Sequence, residues 1–253
     1  MRILYPLFYF FFSFTQLIIA QNSNQIRIHS HNDYKQVTPF WLAYENGLHS
    51  IEIDLFLKNE FLYVTHSKKE IKKEHTVENL YLNPLKKIIT KQPGLDKKLQ
   101  ILIDLKSESK ITLNRLIKTL NQYPKIINHK NISIVISGNR PDPDDYIKYP
   151  DFILFDYQSL QPLKNEKTWS KIALISLNFK KISTWRGEGK MTEKDYCKVD
   201  SVIKKAHQYG KPFRFWATPD TEVAWKTFHQ LGVDFINTDK PVRASAYLNK
   251  KTY

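Results

Sequence analysis

Cysteine is almost missing from this 253-residue chain: Cys197 stands alone, so no intrachain disulfide can form and stability has to come from packing. Its place beside Tyr196 and Val199 in a helical pattern predicts a packing residue. Glycine is scarce as well, at seven residues, and no glycine-rich phosphate loop follows any apolar run. That removes the main support for a doubly wound nucleotide-binding sheet. There is no internal repeat, no Gly/Ser linker and no low-complexity tract after the first twenty residues, which excludes solenoids and strings of tethered modules. Acidic residues are in deficit, 25 against 39 Lys and Arg, a formal charge of +14. The lysines are dispersed, as in Lys68-Lys69, Lys72-Lys73 and Lys97-Lys98, which reads as a solvated surface. A docking interaction with an anionic membrane surface is compatible with it; no nucleic-acid partner and a monomeric state are expected.

Residues 1–20 have the layout of a signal peptide: Arg2, an apolar run from Ile3 to Ala20, then polar Gln21 to Gln25. Bulky Ile18 before Ala20 makes an uncleaved anchor the alternative. The expectation is one domain over residues 21–253, secreted or held in the cell envelope.

From Gln25 onward short β-branched runs alternate with helical patterns. Eight candidate strands are Ile26–His29, Ser50–Leu55, Ile101–Leu105, Ile132–Ser137, Phe152–Phe155, Ile172–Leu177, Phe213–Trp216 and Asp234–Asn237. Phe61–His66 follows the turn-like Lys58-Asn59-Glu60 and reads as a hairpin partner of the second or an extension of it. Thr38-Pro39 predicts a helix start closed by Gly47. Thr192 to Asp195 resembles a capping box ahead of a helix ending at Gly210, and Asp220 precedes one ending at Gly232. Segments 158–171 and 180–191 are weakly patterned and read as loops or short helices. This alternation predicts an α/β fold, a single-domain (β/α)8 TIM barrel.

In such a barrel, chemistry collects at the C-terminal ends of the strands. His29 and His31 end the first strand, Glu52 and Asp54 lie toward the end of the second, His66 ends the hairpin run, and Asp104 with Lys106 ends the third. Alternation puts Glu52 and Asp54 on one side of their strand. Carboxylates inside apolar strands need partners, and a divalent cation would satisfy Glu52, Asp54 and Asp104 together. An all-oxygen donor set suits Mg²⁺ or Ca²⁺.

The order His29, Glu52-Ile53-Asp54, His66, Asp104-Leu105-Lys106, Phe213-Arg214-Phe215-Trp216 and Gly232-Val233-Asp234 through Thr238-Asp239-Lys240-Pro241 resembles the PLC-like phosphodiesterases. That superfamily contains the glycerophosphodiester phosphodiesterases and sphingomyelinase D-type enzymes, and the likeness is greatest to its His-Ser-His-Asn-Asp-Tyr subgroup. The resemblance implies metal-dependent cleavage of a glycerophosphodiester or phospholipid, with His29 and His66 as acid and base. It implies Glu52, Asp54 and Asp104 as metal ligands, and Lys106 opposite the developing charge. Ser30-His31-Asn32 replaces the usual Arg-Gly after the first histidine, so His31, Asn32 or Arg140 is the expected substitute phosphate contact, with Trp216 lining the substrate. Asp33 reads as a loop cap and Asp239 as a structural turn residue.

Two rivals remain. A metal-dependent hydrolase of the amidohydrolase or polymerase-and-histidinol-phosphatase type also opens with His-x-His. It needs later metal histidines, however, and strands four to eight end at Ser137, Asp156, Asn178, Ala217 and Thr238. A non-catalytic phosphate- or sugar-binding barrel is the other, and the paired histidines argue against it.

Overall fold

The computed structural model describes residues 26–91 and 97–250. The expected signal peptide lies outside them. Eight parallel strands close on themselves: β1 (Arg27–Ser30), β2 (Ser50–Lys58), β4 (Leu99–Leu105), β5 (Ile132–Gly138), β6 (Ile153–Tyr157), β7 (Ile172–Asn178), β8 (Phe213–Trp216) and β9 (Phe235–Thr238). Closure comes from β1, which pairs with both β2 and β9. The extra run is β3 (Phe61–Val64), an antiparallel partner of β2 outside the barrel. Asn59 and Glu60 both take positive φ, 47° and 64°, the geometry that a tight hairpin turn requires. All eight barrel strands fall where the sequence pattern puts them, with ends shifted by a few residues.

The helices are α1 (Trp41–Glu45), α2 (Asn83–Lys91), α3 (Ser109–Leu120), α4 (Pro124–Ile127), α5 (Glu193–Gln208), α6 (Glu222–Gln230) and α7 (Pro241–Lys250). Their apolar stripes pack on the outward faces of the strands and form the main core, from Ile28 through Leu248. Thr192 accepts from the Asp195 N–H at the start of α5, as the capping pattern predicts. The weakly patterned segments contain short 3₁₀ turns, Glu166–Lys171 and Phe179–Lys181.

Two expectations are corrected. Cys197 is exposed, because the buried stripe of α5 is Val199, Ile203 and Ala206. Helix α1 does not start at Thr38-Pro39: Phe40 precedes it with φ 65°, and no side chain caps it. The reason is Asp33, whose buried carboxylate accepts from Phe40 N (2.7 Å), Ser30 Oγ (2.9 Å) and Tyr81 Oη (3.0 Å). That grip holds the chain after β1 in a non-helical path and delays the helix. The Gly47 stop is as expected, with φ 63°.

The barrel interior is divided along its axis. At the N-terminal end Leu102, Val135, Leu174 and Phe235 form a small apolar plug. Two residues further along the strands, Asp104, Ser137, Ser176 and Asn237 share the inward side with them, so the interior turns polar toward the C-terminal mouth.

Asp33→Ala leaves three buried donors without an acceptor and is expected to cost about 3 kcal/mol or more. Urea denaturation checks it; an unchanged midpoint would show that the grip on Phe40 adds nothing.

Candidate active site at the barrel mouth

The register of the sheet assembles the acidic cluster. Asp54 on β2 stands directly beside Asp104 on β4, and Glu52 lies two residues earlier on the same face. One ligand oxygen from each of Glu52, Asp54 and Asp104 falls within 4.8 Å of the others. Burial pushes the Asp104 carboxyl up to about 6; Lys106 opposes the shift, and the charges of Glu52 and Asp54 add to it. Lys106 Nζ lies 3.0 Å from Asp104 Oδ2 and 3.3 Å from Asp54 Oδ1. Asp54 Oδ1 and Asp104 Oδ1 are nevertheless buried without a hydrogen bond. Three converging carboxylates, two with unfilled oxygens, and a single lysine beside them make a donor set that fits a hard divalent cation.

Gly138 makes this possible. Its φ is 66°, and a Cβ there would lie 1.9 Å from Asp104 Oδ1 and 2.7 Å from the Leu105 carbonyl.

The histidines occupy three different environments. His29 is fully buried beneath the cluster. Its Nδ1 is 2.7 Å from Ser50 Oγ, and its Nε2 is 2.6 Å from both Glu52 Oε2 and Arg214 Nη1. Burial, then the Arg214 charge, lowers its pKa to about 4, against the pull of Glu52, so the ring is neutral at pH 7. With Ser50 on Nδ1 and both Glu52 and Arg214 on Nε2, where the ring donates to the first in one tautomer or accepts from the second in the other, both nitrogens are occupied inside the barrel. No ring nitrogen is left to face the mouth.

His66 is the opposite case: its side chain is 59% exposed, and Nδ1 contacts Asp54 Oδ2 at 2.7 Å. The hydrogen bond from Thr65 N to the Asp54 carbonyl carries the β2–β3 ladder one step past β3 and fixes the approach of His66. His31 lies between the two. Its Nδ1 contacts Asp239 Oδ1 at 2.7 Å and its Nε2 is 4.0 Å from Glu52 Oε1. Burial depresses its pKa, but the Asp239 hydrogen bond and the Glu52 charge outweigh that and raise it.

Of the other expected residues, Asn32 takes the left-handed conformation (φ 48°) and places Nδ2 3.2 Å from His31 Nε2. Arg140 follows β5 and donates to the Gly138 carbonyl. Trp216 ends β8 with its indole N–H buried and unpartnered. The structure thus brings together Glu52, Asp54, Asp104, Lys106, His66 and His31, and records no contact from Arg140 or Trp216 to them.

Four residues were missed. Arg214 is buried inside the barrel, with Nη1 2.9 Å from Glu52 Oε2 and 3.1 Å from Asn237 Oδ1, and Nη2 3.4 Å from Asp156 Oδ2. Asp156 also accepts from Ser137 and Ser176. The signal was available: Arg214 and Asp156 are charges inside apolar runs, and Arg214 shares a strand face with Trp216. Tyr34 donates to Asp54 Oδ2 (2.8 Å), and Asp239, expected as a turn residue, orients His31. Neither is visible as more than a loop residue in the sequence.

Comparison with known proteins matches two family descriptions. Residues 18–101 match the AIM6-like phosphodiesterase domain, and residues 212–242 match the glycerophosphoryl diester phosphodiesterase family. The first span holds His29, His31, Glu52, Asp54 and His66; the second holds Arg214, Trp216 and Asp239. Altered inheritance of mitochondria protein 6 homolog from Arthroderma benhamiae is 26% identical over 270 residues, spanning 88% of this chain and 83% of the relative. The Saccharomyces cerevisiae protein of that name is 22% identical, over 91% of this chain and 73% of its own. A glycerophosphodiester phosphodiesterase from Parabacteroides distasonis superposes with a TM-score of 0.63 at 16% identity, covering 90% of this chain and 98% of that one. A second, from Agrobacterium tumefaciens, gives 0.55 at 10% identity, with 88% and 99% covered.

Two predictions follow from the acidic cluster. Gly138→Ala should displace the Asp104 carboxylate and weaken Mg²⁺ or Ca²⁺ binding by about tenfold or more, read by calorimetry with far-UV circular dichroism unchanged. The raised Asp104 pKa stabilises the ion-free fold fully below about pH 4, a contribution lost as pH rises past about 6. Because the ion needs the deprotonated carboxylate, added Mg²⁺ or Ca²⁺ should raise the melting temperature at pH 7.5 and much less at pH 5. Equal shifts at both pH values would exclude Asp104 as a ligand.

Proposed function

We propose that this chain, whose two ends match phosphodiesterase family descriptions and whose fold is that of the glycerophosphodiester phosphodiesterases, is a divalent-cation-dependent phosphodiesterase acting on a glycerophosphodiester or phospholipid-type diester. The observation that carries this reading is the carboxylate trio flanked by two histidines of different character, His66 and His31, at one end of the barrel. The Parabacteroides and Agrobacterium enzymes are named for diester cleavage, and that supports the reading by fold.

Glu52, Asp54 and Asp104 would hold the ion, Mg²⁺ or Ca²⁺ by its all-oxygen donors. When bound, it supplies positive charge that neutralises and orients the phosphate. Lys106, already between two of these carboxylates, adds a cation beside the phosphoryl oxygens.

The proton traffic falls to His66 and His31 rather than to His29. His66 holds its Nδ1–H on Asp54 and makes no hydrogen bond from Nε2 among the described residues, which is the arrangement of a ring that can take or give a proton at Nε2. His31, held by Asp239, is kept more basic than an ordinary imidazole and suits the acid role toward the leaving oxygen. In a His–carboxylate pair of this kind, the carboxylate fixes the tautomer and steadies the charged ring. His29 is a positioning residue: buried and neutral, it holds Glu52 from below.

The test is hydrolysis of bis-p-nitrophenyl phosphate and of glycerophosphodiesters by purified protein, with and without EDTA. Activity should vanish with EDTA and return with Mg²⁺ or Ca²⁺. His66→Ala and His31→Ala should each lower kcat by roughly 10²-fold or more, while Asp239→Asn should lower it less and shift the pH profile. Binding without cleavage of any diester, insensitive to chelator, would leave the non-catalytic barrel as the reading. Full activity in His31→Ala would return the acid–base role to His29.

A further inference from the structure

Across the mouth from the carboxylates lies a cavity of about 420 Å³, between the chain that follows β7 and the chain that follows β8. The carboxylates stand on the second and third strands of the barrel and the cavity on the sixth and seventh, so the two are on opposite sides of the ring. For eight tilted strands about 4.8 Å apart that separation is roughly 15 Å.

The cavity is preformed. Thr221 Oγ1 donates to the Gly187 carbonyl (2.7 Å), tying the two connections together. Gly187 has φ 78°, and a Cβ there would lie 2.7 Å from both Pro219 Cβ and Thr221 Oγ1, so the two segments touch at their closest possible approach. Trp185 is held by three contacts: its N–H on Ser183 Oγ, its indole N–H on the Glu188 carbonyl, and its ring edge-on to Phe228. Ala217, in the wall, is held at φ 53°, a conformation that L side chains seldom adopt.

Its chemistry is mixed in a defined way. Phe179 and Trp185, with Ala217 and Pro219, give it an apolar and aromatic lining, while Lys180 and Arg186 supply two cations. Neither Lys180 nor Arg186 forms an ion pair among the described residues, although ten other Lys and Arg residues do. Two unpaired cations beside an aromatic wall suit an anion carried on an apolar or planar body.

We propose that this cavity is a second anion subsite, which receives a phosphate or carboxylate borne on an apolar body in the non-scissile half of the substrate. The inference rests on the phosphodiesterase reading and narrows it to diesters with a second negative group about a barrel's width from the scissile phosphorus.

The test is titration of the full chain with phenyl phosphate, and with benzyl alcohol as the uncharged counterpart. Both are run in EDTA so that the carboxylate cluster does not capture the phosphate, and the Trp185 indole signal is followed by NMR. Phenyl phosphate should bind about tenfold or more tightly than benzyl alcohol and move the Trp185 signal, and Lys180→Ser/Arg186→Ser should lose that advantage. The same double variant should keep wild-type kcat/KM on bis-p-nitrophenyl phosphate, which has no second anion to offer. Equal affinity of the variant for phenyl phosphate, or an unmoved Trp185 signal, overturns the subsite. Absence of diester cleavage by the wild type, with binding as described, refutes the enzymatic reading and leaves the subsite standing.

Discussion

Everything at the mouth rests on the ion pair between Glu52 and Arg214, 2.9 Å apart inside the barrel. Two charges removed from water carry a large desolvation penalty, which their attraction offsets only when the remaining polar atoms are also satisfied. Arg214 meets that condition in part by reaching Asp156 and Asn237 as well as Glu52, and His29 closes the network from below. Burial alone would raise the Glu52 pKa; the His29 hydrogen bond and the Arg214 charge reverse this and hold the carboxyl well below the usual carboxylate range. A carboxylate held ionised in this way keeps the negative charge that a cation at the mouth would meet. The apolar plug of Leu102, Val135, Leu174 and Phe235 closes the barrel on the other side.

The fold was legible because a parallel barrel repeats one signal. Strands β1, β2 and β4 to β9 each appear as a short β-branched run, and each is followed by a breaker or a helical stripe. The carboxylate trio was legible for a related reason: alternation alone puts Glu52 and Asp54 on one side, and Asp104 occupies the matching position on the neighbouring strand. What could not be read was set by contacts between distant segments. His31 is oriented by Asp239, 208 residues away, and Asp54 by Tyr34 across a loop. Nothing local distinguishes those residues from ordinary turn formers. The helix start at Thr38-Pro39 failed for the same reason, since the buried Asp33 carboxylate outcompetes a local cap for the Phe40 N–H. Cys197 failed because hydrophobic neighbours in a window do not specify which side of a helix faces the core.

His29 and His66 looked equivalent in the sequence, each at the end of an apolar run. Burial separates them. The first lies in a dry setting where burial and the Arg214 charge lower its pKa against the pull of Glu52, while the second is solvated and backed by a carboxylate. Under the proposed mechanism proton transfer goes to a ring with a nitrogen free to meet substrate, and both nitrogens of His29 are occupied inside the barrel. A histidine at a barrel strand end is therefore a weaker indicator of acid–base chemistry than the identity of its neighbours.

The β2–β3 hairpin gives the site a division of labour in time. β3 lies outside the closed ring and joins it through four residue pairs, from Leu55 with Val64 to Lys58 with Phe61. Glu52, Asp54 and Asp104 belong to the ring itself, whose opening requires global unfolding, whereas the arm that bears His66 can detach by a local excursion of much lower energy. The three carboxylates and His66 thus stand on parts of the sheet that open separately. If the proposed reading holds, fraying of a single edge strand would halt turnover before it released a bound cation, and amide exchange in β3 would run ahead of exchange in β4.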